Sequence, residues 1–278
     1  MASKKVSYLI FDVESVADGN LVSKVRFPGE GLTPEAAIER YRAELIEKYE
    51  SDFIPYTFQV PIAIIAAKVD AKFRLIDIVS LDHPEYRPHV IIENFWRGWE
   101  AYHKPTLVSF NGRTFDVPLL ELAAFRYGLS LPTWFNVGAK TYDQHRNRYN
   151  TQAHLDLHDV LTNFGATRFN GGLNLAANLI GKPGKMDIQG HMVQDLFNEN
   201  KVKEINDYCR CDVLDTYFVF LRSAVLIGWL ELEQEQVIVA ETKQWLEEQS
   251  EQTPIYADYL AQWGDWENPW KTEAADSK

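Results

Sequence analysis

Four carboxylates and one phenol are the side chains of this sequence best suited, by type and local spacing, to do chemistry together. Asp12 and Glu14 close the run Tyr8-Leu9-Ile10-Phe11-Asp12-Val13-Glu14, Asp116 ends Asn111-Gly112-Arg113-Thr114-Phe115-Asp116, and Asp212 follows Tyr208 by four positions. Acids so far apart in sequence matter only where a fold gathers them, and gathered carboxylates need cations. Hard divalent ions such as Mg²⁺ or Mn²⁺ take oxygen ligands, and a pair of such ions suits cleavage of a phosphodiester. Tyr208 and Asp212 lie one turn apart on one face of a helix. A phenol with a pKa near ~10 stays protonated at neutral pH, so Tyr208 would orient an attacking water rather than abstract its proton. Asp207 and Asp215 are neighbouring rivals of Asp212, but neither pairs with Tyr208 at that spacing.

Each motif also has a plainer reading. Asp12 and Glu14 could mark a strand running out into solvent. Asp116 could simply favour a helix N-terminus electrostatically, with Asn111-Gly112 supplying the bend. Asn111 is a candidate for binding substrate or fixing the loop. Phe115 could stack on a base, with packing into the core its expected fate.

The elements that would position these residues can be read from hydrophobic periodicity. Lys5–Val13 reads as a buried strand ending at the acids, with Asp12 and Glu14 on one side because they are two apart. Residues 15–58 read as an insertion holding a helix from Thr33-Pro34 to about Tyr49, with a capping threonine and a first-turn proline. Val60–Val69 and Phe73–Leu81 form a hairpin, Ile91–Tyr102 a helix and Thr106–Phe110 a strand, with a further helix beginning near Thr114. From Leu155 onward the pattern is helical, with segments at Leu155–Leu161, Leu173–Ile180, Val193–Phe197 and Lys203–Trp229. This order predicts an α/β fold with a mixed β-sheet flanked by helices.

Composition narrows the class. The 278 residues carry a net charge of −12, at first an argument against nucleic acid. However, the stretch from Glu231 to Lys278 holds twelve acids against three bases, leaving 28 and 25 elsewhere. The acidity is thus mostly a C-terminal property, and the remainder can hold a strand end. We divide the chain into residues 1–230 and an acidic, Trp-rich extension, 231–278. No apolar run approaches membrane-spanning length, and a signal-type segment is not evident. Cys209 and Cys211 point in different directions on a helix, so a disulfide is not expected and a cytoplasmic location fits.

Three further features invite functional readings. His154-x-x-x-His158 with Asp156 has metal-like spacing but lacks the glutamate of a zinc protease, and is read as structural. Gly181-Lys182-Pro183-Gly184-Lys185 is not a phosphate-cradling P-loop and reads as a helix stop. A second reading gives Lys182 or Lys185 a phosphate contact, helped by Lys140, Arg146, Arg148 and Arg168. Trp263, Trp266 and Trp270 could form a docking peptide for a protein partner, or fold back over their own domain.

Together, Phe11-Asp12-Val13-Glu14, Ser109-Phe110-Asn111-Gly112-Arg113-Thr114-Phe115-Asp116 and Tyr208-Cys209-Arg210-Cys211-Asp212 resemble the three exonuclease motifs of the DEDD superfamily, in its tyrosine-bearing branch. More narrowly, they look like stand-alone bacterial exonucleases related to the proofreading domain of family-B DNA polymerases. Residues Leu155–Leu161 and Leu179–Lys185 add to the likeness, which covers roughly residues 5–228. The resemblance implies a ribonuclease-H-like fold and 3′-to-5′ exonuclease activity with two Mg²⁺ or Mn²⁺ ions. It implies that Asp12, Glu14 and Asp212 hold the ion that activates water. Asp12 would bridge to a second ion at the departing 3′ oxygen, and Asp116 would act directly or through water. The expected partner is a nucleic-acid single-stranded 3′ end, DNA in preference to RNA. An exoribonuclease, or a catalytically silent recruitment module, are the alternatives.

Overall fold

The structure, a computed structural model, describes residues 5–184 and 192–270. At its centre is a five-stranded sheet: β1 (Tyr8–Ala17), β2 (Gln59–Val69), β3 (Leu75–Ser80), β4 (Thr106–Ser109) and β5 (His154–Asp156), in the order β3-β2-β1-β4-β5. Strands β1, β2 and β3 pair antiparallel, while β4 and β5 run parallel to β1. The result is the mixed sheet flanked by helices expected from the sequence.

The alternation of β1 assigns its two faces. Leu9, Phe11 and Val13 point into a core shared with α3 (Pro88–Ala101) and α4 (Asp116–Tyr127), where Trp96, Trp99 and Trp134 meet. Ile10 belongs to the opposite core, built mainly on α8 (Val202–Leu226). Side chains two apart share a face, so Asp12 lies on the α8 side of the sheet.

The first strand does not end at the acids. It continues to Ala17 because Val13 and Val16 keep it buried, with a bulge between Glu14 and Ser15. Asp12 and Glu14 are therefore mid-strand residues. What opens space beside them is the shortness of β4, whose pairing covers only Tyr8, Leu9 and Ile10 of β1. Beyond Ile10 the chain from β4 turns away into α4.

Within residues 15–58 the expected helix is α2 (Pro34–Tyr49), with the Thr33 side chain accepting from the Ala36 amide. A shorter helix, α1 (Gly19–Arg26), capped by Asp18, precedes it. Leu155–Leu161 is not helical throughout. His154–Asp156 forms β5, and Asp156 then caps α5 (Leu157–Thr162) by accepting from the His158 amide. Helices α6 (Gly172–Asn178) and α7 (Val193–Asn198) follow. After α8 come α9 (Leu232–Gln249) and α10 (Ile255–Ala261), whose Ile238, Leu246, Tyr256 and Tyr259 join the α8-side core.

Candidate active site

The α8 helix crosses the acidic side of β1 and brings Tyr208, Cys209 and Asp212 to it. One oxygen each from Asp12 and Glu14 and the Cys209 sulfur all lie within 4.8 Å of one another, the one such group of potential metal donors among the described residues. The Cys209 thiol is fully buried and donates to both the main-chain oxygen and Oδ2 of Asp12, each at 3.4 Å. Burial, then the charges of Asp12, Glu14 and Asp212, push this thiol far above its ordinary range. The sulfur is accordingly a neutral hydrogen-bond donor.

Tyr208 is buried on the same face. Burial, followed by the charges of Asp212, Glu14 and Asp12, raises its pKa strongly, and its hydroxyl hydrogen-bonds Asp212. The phenol therefore keeps its proton, as expected of a positioning group.

Asp116 arrives from the turn between β4 and α4. The turn is tight: Asn111 adopts a left-handed φ of 64°, and the Val117 amide donates to the Gly112 carbonyl at 2.8 Å. Gly112 is required by space. A Cβ there would stand 2.4 Å from Ser109 Oγ and 2.8 Å from Asp116 Oδ2. The turn is held from the neighbouring strand by the Asp156 carboxylate. Oδ1 accepts from the Asn111 amide and Oδ2 from the Arg113 amide, each at 2.8 Å. Arg113 grips back, from Nε to Asp159 at 2.7 Å and from a terminal nitrogen to the His154 carbonyl at 2.9 Å.

Electrostatics tie the three segments together. Burial raises the pKa of Asp12 above the usual carboxylate range, eased by the Cys209 thiol and the Val13 amide. Asp116 is raised further, first by burial and then by the negative charges of Asp12 and Asp156. Crowded carboxylates are the chemistry that a divalent ion relieves. With the thiol protonated, the donors are oxygens, which fit a hard cation.

The other sequence candidates sort as follows. Asn111 is exposed on the turn, its Oδ1 accepting from Thr114 Oγ1 at 2.9 Å. Phe115 is half-buried against the α3–α4 core, with the Phe53 ring 5.6 Å away. Asp207 pairs with Lys203, and Asp215 is buried against Tyr259 two turns further along α8, so both rivals are engaged away from Asp12. His154 is buried with Nε2 2.8 Å from Ser109 Oγ, and its pKa falls to about 3 through burial and the Arg113 charge. The phosphate reading of Lys182 fails on burial, because its amine lies 4.0 Å from the Trp263 ring centroid. Arg146 is held by Glu121, and Arg148 donates to the Phe164 carbonyl. Lys185 lies outside the described residues. Trp263 and Trp266 fold back, the latter under Arg222, while Trp270 is exposed.

Two contributors escaped the sequence reading. Cys209 carried no signal beyond its place next to Tyr208. Asp156 could have been suspected as the capping residue between an apolar strand and Leu157.

A family model described as "Predicted 3'-5' exonuclease related to the exonuclease domain of PolB" matches residues 51–263. Among solved structures, the family B DNA polymerase of the hyperthermophilic archaeon Pyrobaculum calidifontis is similar at 15% identity with a TM-score of 0.44. That match covers 84% of this chain and 27% of the polymerase, so the chain spans about a quarter of the polymerase's length. No curated protein is similar in sequence. Among the described residues, no helix is long and apolar enough to cross a membrane.

Proposed function

The chain belongs to the family of predicted 3′-5′ exonucleases related to the exonuclease domain of PolB, and we propose that it removes nucleotides from single-stranded DNA 3′ ends with two bound Mg²⁺ or Mn²⁺ ions. The observation that carries this reading is the meeting of Asp12 and Glu14 from β1 with Asp116 and with Tyr208 and Asp212 from α8. Asp12, Glu14, Asp116 and Asp212 would hold the ions. When bound, such ions acidify water and neutralise the charge that develops on a phosphodiester under attack.

The chain's own groups then have distinct tasks. Tyr208, whose hydroxyl donates its one proton to Asp212, presents a fixed oxygen that accepts from the attacking water and so orients it. Asp12 has its second hydrogen-bonding demand met by the Cys209 thiol, which holds the carboxylate against α8. Asn111, on the exposed turn, would hydrogen-bond the terminal nucleotide, and half-buried Phe115 would lend a ring edge to its base. The relation of the family to a polymerase's exonuclease domain supports DNA as substrate.

Purified protein with Mg²⁺ or Mn²⁺ should shorten a 5′-labelled oligonucleotide one nucleotide at a time, and chelator or Asp12→Ala should stop it. Undiminished digestion by Asp12→Ala would end the proposal. Matched DNA and RNA strands assayed side by side test the substrate, since the 2′-hydroxyl is the feature being distinguished.

A further inference from the structure

Bonds from Thr114 to Asn111 and from the Val117 amide to Gly112 close the turn from Asn111 to Asp116 locally. It begins with a left-handed residue, passes a glycine wedged between Ser109 and Asp116, and carries a buried acid crowded by other acids. A buried like-charge cluster pushes its members apart, and Asp156 on β5 is itself one of the charges that crowd Asp116. What holds the turn against that push is the pair of hydrogen bonds Asp156 accepts. Asp156 spans the turn with both carboxylate oxygens, one on the amide of Asn111 and one on that of Arg113. Such charge-assisted bonds to main-chain amides are short and directional. The same carboxylate caps α5 through the His158 amide at 3.0 Å. The anchor itself is held, because Arg113 reaches over to Asp159 and to the His154 carbonyl, and Ser109 meets the His154 ring.

We propose that Asp156 is a positioning residue for metal binding: by gripping the Asn111 and Arg113 amides it sets where Asp116 stands relative to Asp12. The inference rests on the reading of Asp116 as part of the nuclease site. Asp156 touches neither ion nor substrate in this scheme and acts through the turn. The geometry demands a carboxylate. Asparagine has a single oxygen, so its amide nitrogen would face one of the two N–H donors and that bond would become a repulsion. Residues that orient a ligating carboxylate commonly change metal affinity ~10–100-fold when substituted.

The test is a double-mutant cycle on ion binding. Wild type, Asp156→Asn, Asp116→Asn and the double variant are titrated with Mn²⁺, free ion being read by electron paramagnetic resonance. The same proteins are assayed on a 5′-labelled oligonucleotide to separate kcat from KM. Asp156→Asn is expected to weaken Mn²⁺ binding about tenfold and to lower kcat with KM little changed. In the Asp116→Asn background the same substitution should change Mn²⁺ binding less than about twofold, because its route is already cut. Wild-type affinity in Asp156→Asn, or an equal loss in both backgrounds, would overturn the proposal. Should Asp156→Asn fail to fold, Asp156→Ser keeps an oxygen for capping α5 but is too short to span both amides, and the same outcomes apply. Asp12→Asn separates the two levels of the argument. If it retains both Mn²⁺ binding and digestion, the nuclease reading falls. If it loses both while Asp156→Asn behaves as wild type, only the positioning role falls.

Discussion

Tyr208 and Asp212 stand one helical turn apart on α8, and the phenol hydrogen-bonds the carboxylate from a site also facing Asp12 and Glu14. Burial, and then three surrounding negative charges, raise the phenol's pKa and keep it protonated. Its service is therefore geometric. Tyr208→Phe should lower kcat by roughly 10²-fold, the usual scale for losing alignment of a reacting group. Mn²⁺ affinity should be nearly unchanged, since all four carboxylates remain. An activity loss accompanied by an equal loss of Mn²⁺ binding would instead make Tyr208 a support for the acids.

The pH dependence of stability should carry the mark of Asp215. Burial raises its pKa from 3.8 to about 7, eased by the Tyr259 hydroxyl, which donates to Oδ1 at 2.6 Å. The folded chain keeps a proton there that the unfolded chain releases. Stability from this group is therefore greatest at low pH, falls as pH rises from about 4 to about 7, and is level above that. His154 works the other way. Its pKa of about 3, against 6.5, means that stability is lost as pH drops from 6.5 toward 3. A difference measurement isolates Asp215. The melting temperature of Asp215→Asn relative to wild type should rise between pH 5 and pH 8, by several degrees at most. A constant difference across that range would mean that the native carboxyl titrates normally.

Both thiols should be silent in the native protein. Cys209 and Cys211 are buried, and burial with neighbouring acids raises each pKa above the ordinary thiol range. Because the thiolate is the reactive form, an aromatic disulfide reagent at pH 8 should modify neither within minutes and both in guanidinium. Rapid native reaction at Cys209 would mean that α8 lifts readily from β1, weakening the case for a rigid site.

How much of this arrangement was visible in advance follows from the length and contrast of each pattern. The run through Leu9, Phe11 and Val13 and the hairpin partner β2 were readable because long apolar stretches dominate them. The start of Pro34–Tyr49 was readable because Thr33 and Pro34 mark it chemically. β5 was not, since three residues cannot display a period, and Leu155 with Leu157 fits a helix as well as a strand end. The course of β1 past Glu14 was hidden by the acids themselves, which resemble a strand's exit into solvent. In α9, abundant glutamates masked the spacing of Ile238, Thr242 and Leu246, which line one buried face. Local motifs located Asp116, but the bond that holds its turn joins residues more than forty positions apart, beyond what local pattern can reveal.

The last prediction concerns residues after Leu230. They are acidic enough to look like a solvated appendage, yet α9 and α10 supply Ile238, Leu246, Tyr256 and Tyr259 to the core formed on α8. Arg222 of α8 pairs with buried Glu235 at 3.0 Å, and Trp263 covers the Lys182 amine. Burying a large apolar side chain contributes about 1.5–3 kcal/mol, so losing these four forfeits on the order of 6–12 kcal/mol of burial. A domain's whole stability is about 5–15 kcal/mol. Removing Glu235 alone would also strand the Arg222 charge. A chain ending at Leu230 should therefore lose cooperative melting and near-ultraviolet dichroism, or aggregate, although every proposed site residue is retained. If instead it melts within a few degrees of the full chain and still digests oligonucleotides, α9 and α10 are an accessory layer and the site stands on the sheet and α8 alone.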